Sequence, residues 1–116
     1  MSAFDPTNPS KQQYPWVLPT TTLPGPVADS GLIDVTGFRF LVLQGNVVIA
    51  GGAGSQVEVD YQFADGTWFN PGGFATLNVV GPFRLFVPQP FPSTVRVRWM
   101  VAGVNPQVAM SLLGQS

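Results

Sequence analysis

From Gln56 to Phe63 the chain alternates without a break. Val57, Val59, Tyr61 and Phe63 fall on one face of an extended strand, and Gln56, Glu58, Asp60 and Gln62 on the other. A period of two predicts a strand with one buried face. The run Thr94–Val101 repeats the device, with Val95, Val97 and Trp99 interleaved by Arg96 and Arg98. Gly37–Gln44, Thr67–Asn70, Phe74–Val80, Phe83–Val87 and Gln107–Leu113 read as further short strands, and Val47–Ala50 as one more or as a continuation. Ala64-Asp65-Gly66 predicts a tight turn, where Gly supplies a positive φ. Pro71, Pro82, Pro88, Pro90, Pro92 and Pro106 are expected between the runs, where they remove no ladder hydrogen bond. No long stretch carries a 3.6-residue period. Seven or eight short antiparallel strands predict an all-β domain, a β-sandwich or jelly roll.

The first 30 residues differ from the rest. They hold Pro6, Pro9, Pro15, Pro19, Pro24 and Pro26, and a single glycine, Gly25. Proline fixes φ and pushes its predecessor toward extended geometry. Residues 1–30 are therefore expected to form an extended arm with polyproline-like pieces, and residues 31–116 the sandwich. The arm carries Phe4, Tyr14, Trp16, Val17, Leu18 and Leu23. Disordered tails are poor in such side chains, so the arm is expected to dock, on its own sandwich or on a neighbouring subunit.

Composition removes whole classes of function. Among 116 residues there are 5 Lys+Arg, 6 Asp+Glu, no His and no Cys, for a net charge of −1. That balance offers no general grip on nucleic acid or an anionic membrane. The missing thiols and imidazoles remove the disulfide framework, the thiolate nucleophile and the commonest general base and metal ligand. Ser and Thr have no His to activate them. The N-terminal residues show no basic and then apolar signal segment, and no run approaches about 20 apolar residues. At 9%, charged residues are scarce against roughly 25% in an average domain. Such a surface points to partners.

The remaining candidates are few. Glu58 and Asp60, two residues apart on one strand face, have the spacing of a glycosidase-like pair. A catalytic acid needs a raised pKa, however, and an open polar strand face supplies no cause for one. Structural ion pairs with Arg84, Arg96 and Arg98 are the expectation. Asp65, with Asp60 or Asp34, lacks the spaced acidic loop of a calcium site, and turn chemistry accounts for Asp-Gly. Gly51-Gly52-Ala53-Gly54 opens no helix and reads as a loop tip, not a phosphate cradle. Trp16, Trp68 and Trp99 are candidates for stacking on a glycan if exposed. Trp68, Phe69, Phe86, Phe91 and Met100 are more than a two-layer core needs, and are expected at an assembly interface. No cofactor is expected.

Several short words in the second half add to this. An alternating strand ends at Phe63 and is followed by Asp65-Gly66-Thr67-Trp68, then by Gly81-Pro-Phe-Arg-Leu-Phe-Val-Pro88. Thr94-Val-Arg-Val-Arg-Trp-Met-Val101 and the closing Gln107–Gly114 strand complete the order. Over about residues 38–114 this resembles small β-sandwich proteins encoded among the structural genes of tailed bacteriophages. Ala64 stands where a polar residue is usual in that pattern, and Trp68 follows one residue early. The resemblance implies a sandwich fold and a place in the virion, after synthesis in the host cytoplasm. It also implies contacts with copies of itself and with other virion proteins, foremost the major capsid protein. The expected function is non-enzymatic: a capsid decoration, or cement, protein. The alternatives are a glycan- or receptor-binding module of a spike or fibre, and a structural protein of the head–tail junction or tail.

Overall fold

A computed structural model describes residues 12–116. Ten strands follow one another: β1 (Gln12–Thr22), β2 (Val27–Asp29), β3 (Ile33–Asp34), β4 (Phe40–Ile49) and β5 (Gln56–Gln62), then β6 (Trp68–Phe69), β7 (Phe74–Thr76), β8 (Gly81–Phe86), β9 (Thr94–Met100) and β10 (Gln107–Gln115). They form two antiparallel sheets. The first has the order β1-β10-β4-β8, and the second β2-β9-β5-β6, with β3 also on β9 and β7 also on β5. Strands β2 and β3 pair with successive stretches of β9, and β6 and β7 with successive stretches of β5. Each pair is thus one interrupted strand. Counted so, eight strands in sequence order make sheets 1-8-3-6 and 2-7-4-5, the topology of a jelly roll.

The core is the layer between the sheets. Leu41, Leu43, Val108, Met110 and Leu112 from the first sheet meet Val57, Val59, Val95, Val97 and Trp99 from the second. Along β9 and β10 every second residue is buried. Period-two patterning drives this directly: each inward side chain removed from water contributes about 1.5–3 kcal/mol before chain entropy is subtracted. In the first sheet two glycines leave no room for a side chain. A Cβ on Gly45 would lie 2.5 Å from the Ala109 carbonyl oxygen, and one on Gly114 would meet the Phe38 ring at 2.5 Å.

Much of the expected arm is part of the sandwich. From Gln12 to Thr22 the chain is an edge strand of the first sheet, paired with β10 from Gln12↔Gln115 to Thr22↔Gln107. Pro15 and Pro19 fall within its two register shifts, between Gln13 and Trp16 and between Leu18 and Thr21. There the irregular ladder does not require their missing N–H groups. Beyond β1, Leu23 is fully buried. Its N–H donates to the Pro106 carbonyl at 2.9 Å, and its own carbonyl accepts from Asn105 Nδ2 at 2.8 Å. The Trp99 indole N–H donates to the Pro24 carbonyl at 3.2 Å. Residues 12–29 therefore belong to the sandwich, and the boundary placed at residue 30 has no structural counterpart. Phe4 lies outside the described residues.

Two local readings also change, and one open alternative is decided. Pro82 lies inside β8, opposite Asn46, and is tolerated because β8 is the other edge of the first sheet. Gln44 and Val47 belong to one continuous β4. Phe63 does not extend the buried face of β5: the strand ends at Gln62, and the Phe63 ring is half-exposed. The interruption between β2 and β3 is closed by side-chain chemistry. Ser30 N–H donates to the Val97 carbonyl at 2.8 Å while Ser30 Oγ accepts from Val97 N–H at 3.0 Å.

Gly45→Ala is expected to lower stability by about 1–3 kcal/mol through overpacking against backbone, measured as a shift in the urea midpoint. A neutral result would show that β4 and β10 can move apart locally.

Candidate functional site

The outer faces of the two sheets differ in kind. On the second sheet, Asp29 of β2, Glu58 and Asp60 of β5, and Arg96 and Arg98 of β9 share the solvent side, because paired residues in neighbouring strands point the same way. Asp29 and Glu58 both stand opposite Arg98, and Asp60 opposite Arg96. Arg96 Nε donates to Asp60 Oδ2 at 2.9 Å, and its Nη1 lies 3.8 Å from Asp29 Oδ2. Arg98 Nη1 lies 3.6 Å from Glu58 Oε1. The Arg96 guanidinium also sits 4.3 Å above the Trp68 ring, an attraction of cation and ring quadrupole.

This face is less open than its sequence suggests. Trp68 from β6 and Phe74 from β7 stand beside Gln62 and Glu58 on the same side, and Asp60 is buried. Burial, together with the Asp60 carboxyl beside it, pushes the Glu58 carboxyl up to about 7. The expectation that no cause for a raised pKa exists here is therefore corrected. What raises it is burial, which the strand alone does not show, together with the neighbouring carboxyl. The expected pairs of Arg96 and Arg98 are present. Arg84 lies on the other sheet, opposite Gln44, and has no ion pair among the described residues.

The outer face of the first sheet is nearly uncharged, with apolar and neutral polar rows side by side. Val17, Ser111, Gln44 and Arg84 form one row across it, and Leu113, Val42 and Phe86 another. Small residues at Ser111 and Ala109 leave a shallow groove of about 940 Å³ between the edge strands, with Val17 and Pro19 on one flank and Pro82 and Arg84 on the other. Phe86 is 57% exposed and Val17 55%. The Phe86 ring meets Phe40 edge-on at 6.0 Å. Arg84 is the one charged side chain in these rows.

The two ends of the sandwich add apolar surface. At the end where β4 gives way to its following loop, Val48, Ile49, Val79, Val80 and Val104 are all exposed. At the opposite end Phe63 stacks on Phe69, with centroids 4.4 Å apart and planes 6° from parallel, and Tyr61 meets Phe69 edge-on at 5.5 Å. The Tyr61 hydroxyl donates to the Pro88 carbonyl, and burial raises its pKa. Pro71, Pro88, Pro90 and Pro92 wall a hollow of about 400 Å³ beside this stack. Neither the valine end nor the Phe63–Phe69 stack follows from the alternation. Both belong to loops and strand ends, where the periodic signal stops.

The other sequence candidates take these places. Leu23 and Trp99 are core. Trp16, Leu18 and Phe91 are half-buried against it. Tyr14 is half-buried on β1. Met100 is half-buried on the outer side of the second sheet, between Val27 and Gln56. Asp34 and Asp65 each close their own turn: Asp34 Oδ1 accepts from Thr36 N–H and Oγ1 at 2.9 and 2.6 Å, and Asp65 Oδ1 from Thr67 N–H and Oγ1 at 3.0 and 2.7 Å. These bonds hold both carboxyls below their ordinary pKa. Comparison with family models, curated proteins and solved structures returned no match.

Arg96→Ala strands the buried Asp60 carboxylate and removes the cation over Trp68. It is expected to cost about 3–5 kcal/mol, as removing one partner of a buried pair does. Arg84→Ala is expected to change stability by less than about 0.5 kcal/mol. Guanidinium chloride denaturation of both variants makes the comparison.

Proposed function

We propose that this chain is a non-enzymatic structural subunit of a bacteriophage particle, most specifically a decoration protein seated on the capsid. The observation that carries the reading is the weakly charged outer face of the first sheet, where Val17, Phe40 and Phe86 are exposed around a single charged residue, Arg84. A two-layer sandwich already satisfies its core between the sheets. On the outer face of the first sheet the chain packs Val42 away, yet it leaves Val17, Phe40 and Phe86 open to solvent. Large contiguous apolar patches mark interaction sites in soluble proteins. Each square ångström of such surface covered by a partner contributes about 25 cal/mol, and in a symmetric shell the same modest contact is repeated around every axis.

The jelly roll is compatible with this reading and does not decide it, because viral capsid and lectin domains share the architecture. A glycan-binding role has less support. A pyranose needs an open ring face, whereas Trp99 is in the core and one face of Trp68 lies under Arg96. Among the described residues, attachment then falls to the outer face of the first sheet and the two apolar ends of the sandwich.

Particles purified on a density gradient from a host making the chain are expected to contain it at a fixed ratio to the major capsid protein, measured by quantitative mass spectrometry. The double variant Val17→Asp/Phe86→Asp alters only exposed positions, so it is expected to fold, by circular dichroism and melting, and to drop out of the particles at least tenfold. Particles that lack the wild-type chain sink the virion reading. Undiminished incorporation of the folded double variant removes the first sheet from the contact.

A further inference from the structure

Asp60 is on the outer face of its sheet, yet only 3% of its side chain is exposed. Its Oδ2 is satisfied by Arg96. Its Oδ1 is buried and has no hydrogen-bond donor. A carboxylate oxygen in that position calls for a proton-bearing neighbour. The neighbour on its own strand and face is Glu58, itself 12% exposed at the side chain and held by Arg98 only at 3.6 Å, longer than a good charge-assisted hydrogen bond.

The groups facing this pair are few. Strand β2 contributes Asp29, β9 contributes Arg96 and Arg98, β6 contributes Trp68 and β7 the apolar Phe74. Three carboxylates against two guanidiniums leave the face at −1. One bound proton makes it neutral.

We propose that Glu58 and Asp60 share one proton, the Glu58 carboxyl donating to Asp60 Oδ1, and that this proton switches the charge of the outer face of the second sheet. Two carboxyls that close cannot both ionise cheaply. The raised Glu58 pKa agrees with the geometry. The folded chain then binds this proton more tightly than the unfolded chain, where a glutamate has the ordinary value of 4.5. Its stabilising effect is full below about pH 4.5 and is lost as pH rises through about 7. The face is thus neutral in mild acid and anionic in mild base. This inference does not depend on the proposed virion role.

Carbon-13 NMR of the side-chain carboxyls in the full chain, from pH 3 to 9, tests it. Glu58 is expected to titrate at least one and a half pH units above the solvent-exposed carboxylates, with the Asp60 signal responding to the same step. Asp60→Asn is expected to return Glu58 toward its ordinary range. Glu58→Gln keeps a donor for Asp60 Oδ1, so its melting temperature is expected to equal or exceed that of the wild type at pH 8. It should also be flat from pH 5 to 8, where the wild type declines. A wild-type Glu58 titrating near 4.5 overturns the proposal. So does an unchanged Glu58 in a folded Asp60→Asn. If Asp60→Asn does not fold, a Glu58→Gln melting profile as steep as the wild type's overturns it instead.

Discussion

Among the described residues strand β1 has a single ladder partner, and that partner is the last strand, β10. Everything in the first sheet depends on this closure. Strand β10 lies between β1 and β4, so the two ends of the described chain lie side by side and β10 joins the first strand to the rest of the sheet. The buried row of Leu41, Leu43, Val108, Met110 and Leu112 exists only once β10 is in place. Leu23, at the end of β1, is then locked by Pro106 and Asn105 in the approach to β10. Such pairings close long loops before they return any contact, and folds dominated by them are slow to form. They are also cooperative: loss of β1 uncovers β10, and loss of β10 divides the sheet.

The legible part of this architecture was the part written in one strand at a time. Alternation in Gln56–Gln62 and Thr94–Met100 records a buried face that any partner sheet would satisfy, so both strands and their inward valines follow from sequence. The prolines were harder to read. Pro15, Pro19 and Pro82 look like breaks, because proline cannot sit in a central strand. Their actual positions are edges and register shifts, and which strand is an edge is a property of the whole sheet. Phe63 was misplaced for a related reason: the face of β5 continues in the pattern one residue beyond the ladder that gives it meaning.

The charged cluster shows the same division. That Glu58 and Asp60 would meet Arg96 and Arg98 was legible from their matching positions on alternating strands. That Asp60 would be buried was not, because the strand alone does not show it. The outer face of the first sheet was only half legible. Phe86 stood out as surplus to a two-layer core, but Val17 belonged to a segment that looked like an arm. A five-charge group on one sheet and a lone arginine on the other make the two sides of a thin body, 19 Å in its shortest dimension, chemically opposite.

The edges of the two sheets carry a consequence for how copies can meet. The first sheet is bounded by β1, with Pro15 and Pro19 in its shifted register, and by β8, with Pro82. The second is bounded by strands of only two or three residues, β2 on one side and β6 and β7 on the other. None presents a long flat row of free N–H and C=O groups to template another chain. A second chain meeting this molecule therefore finds faces to fit, as a tile does, rather than a ladder to extend, and a contact of that kind can be undone without disturbing either chain's own sheets.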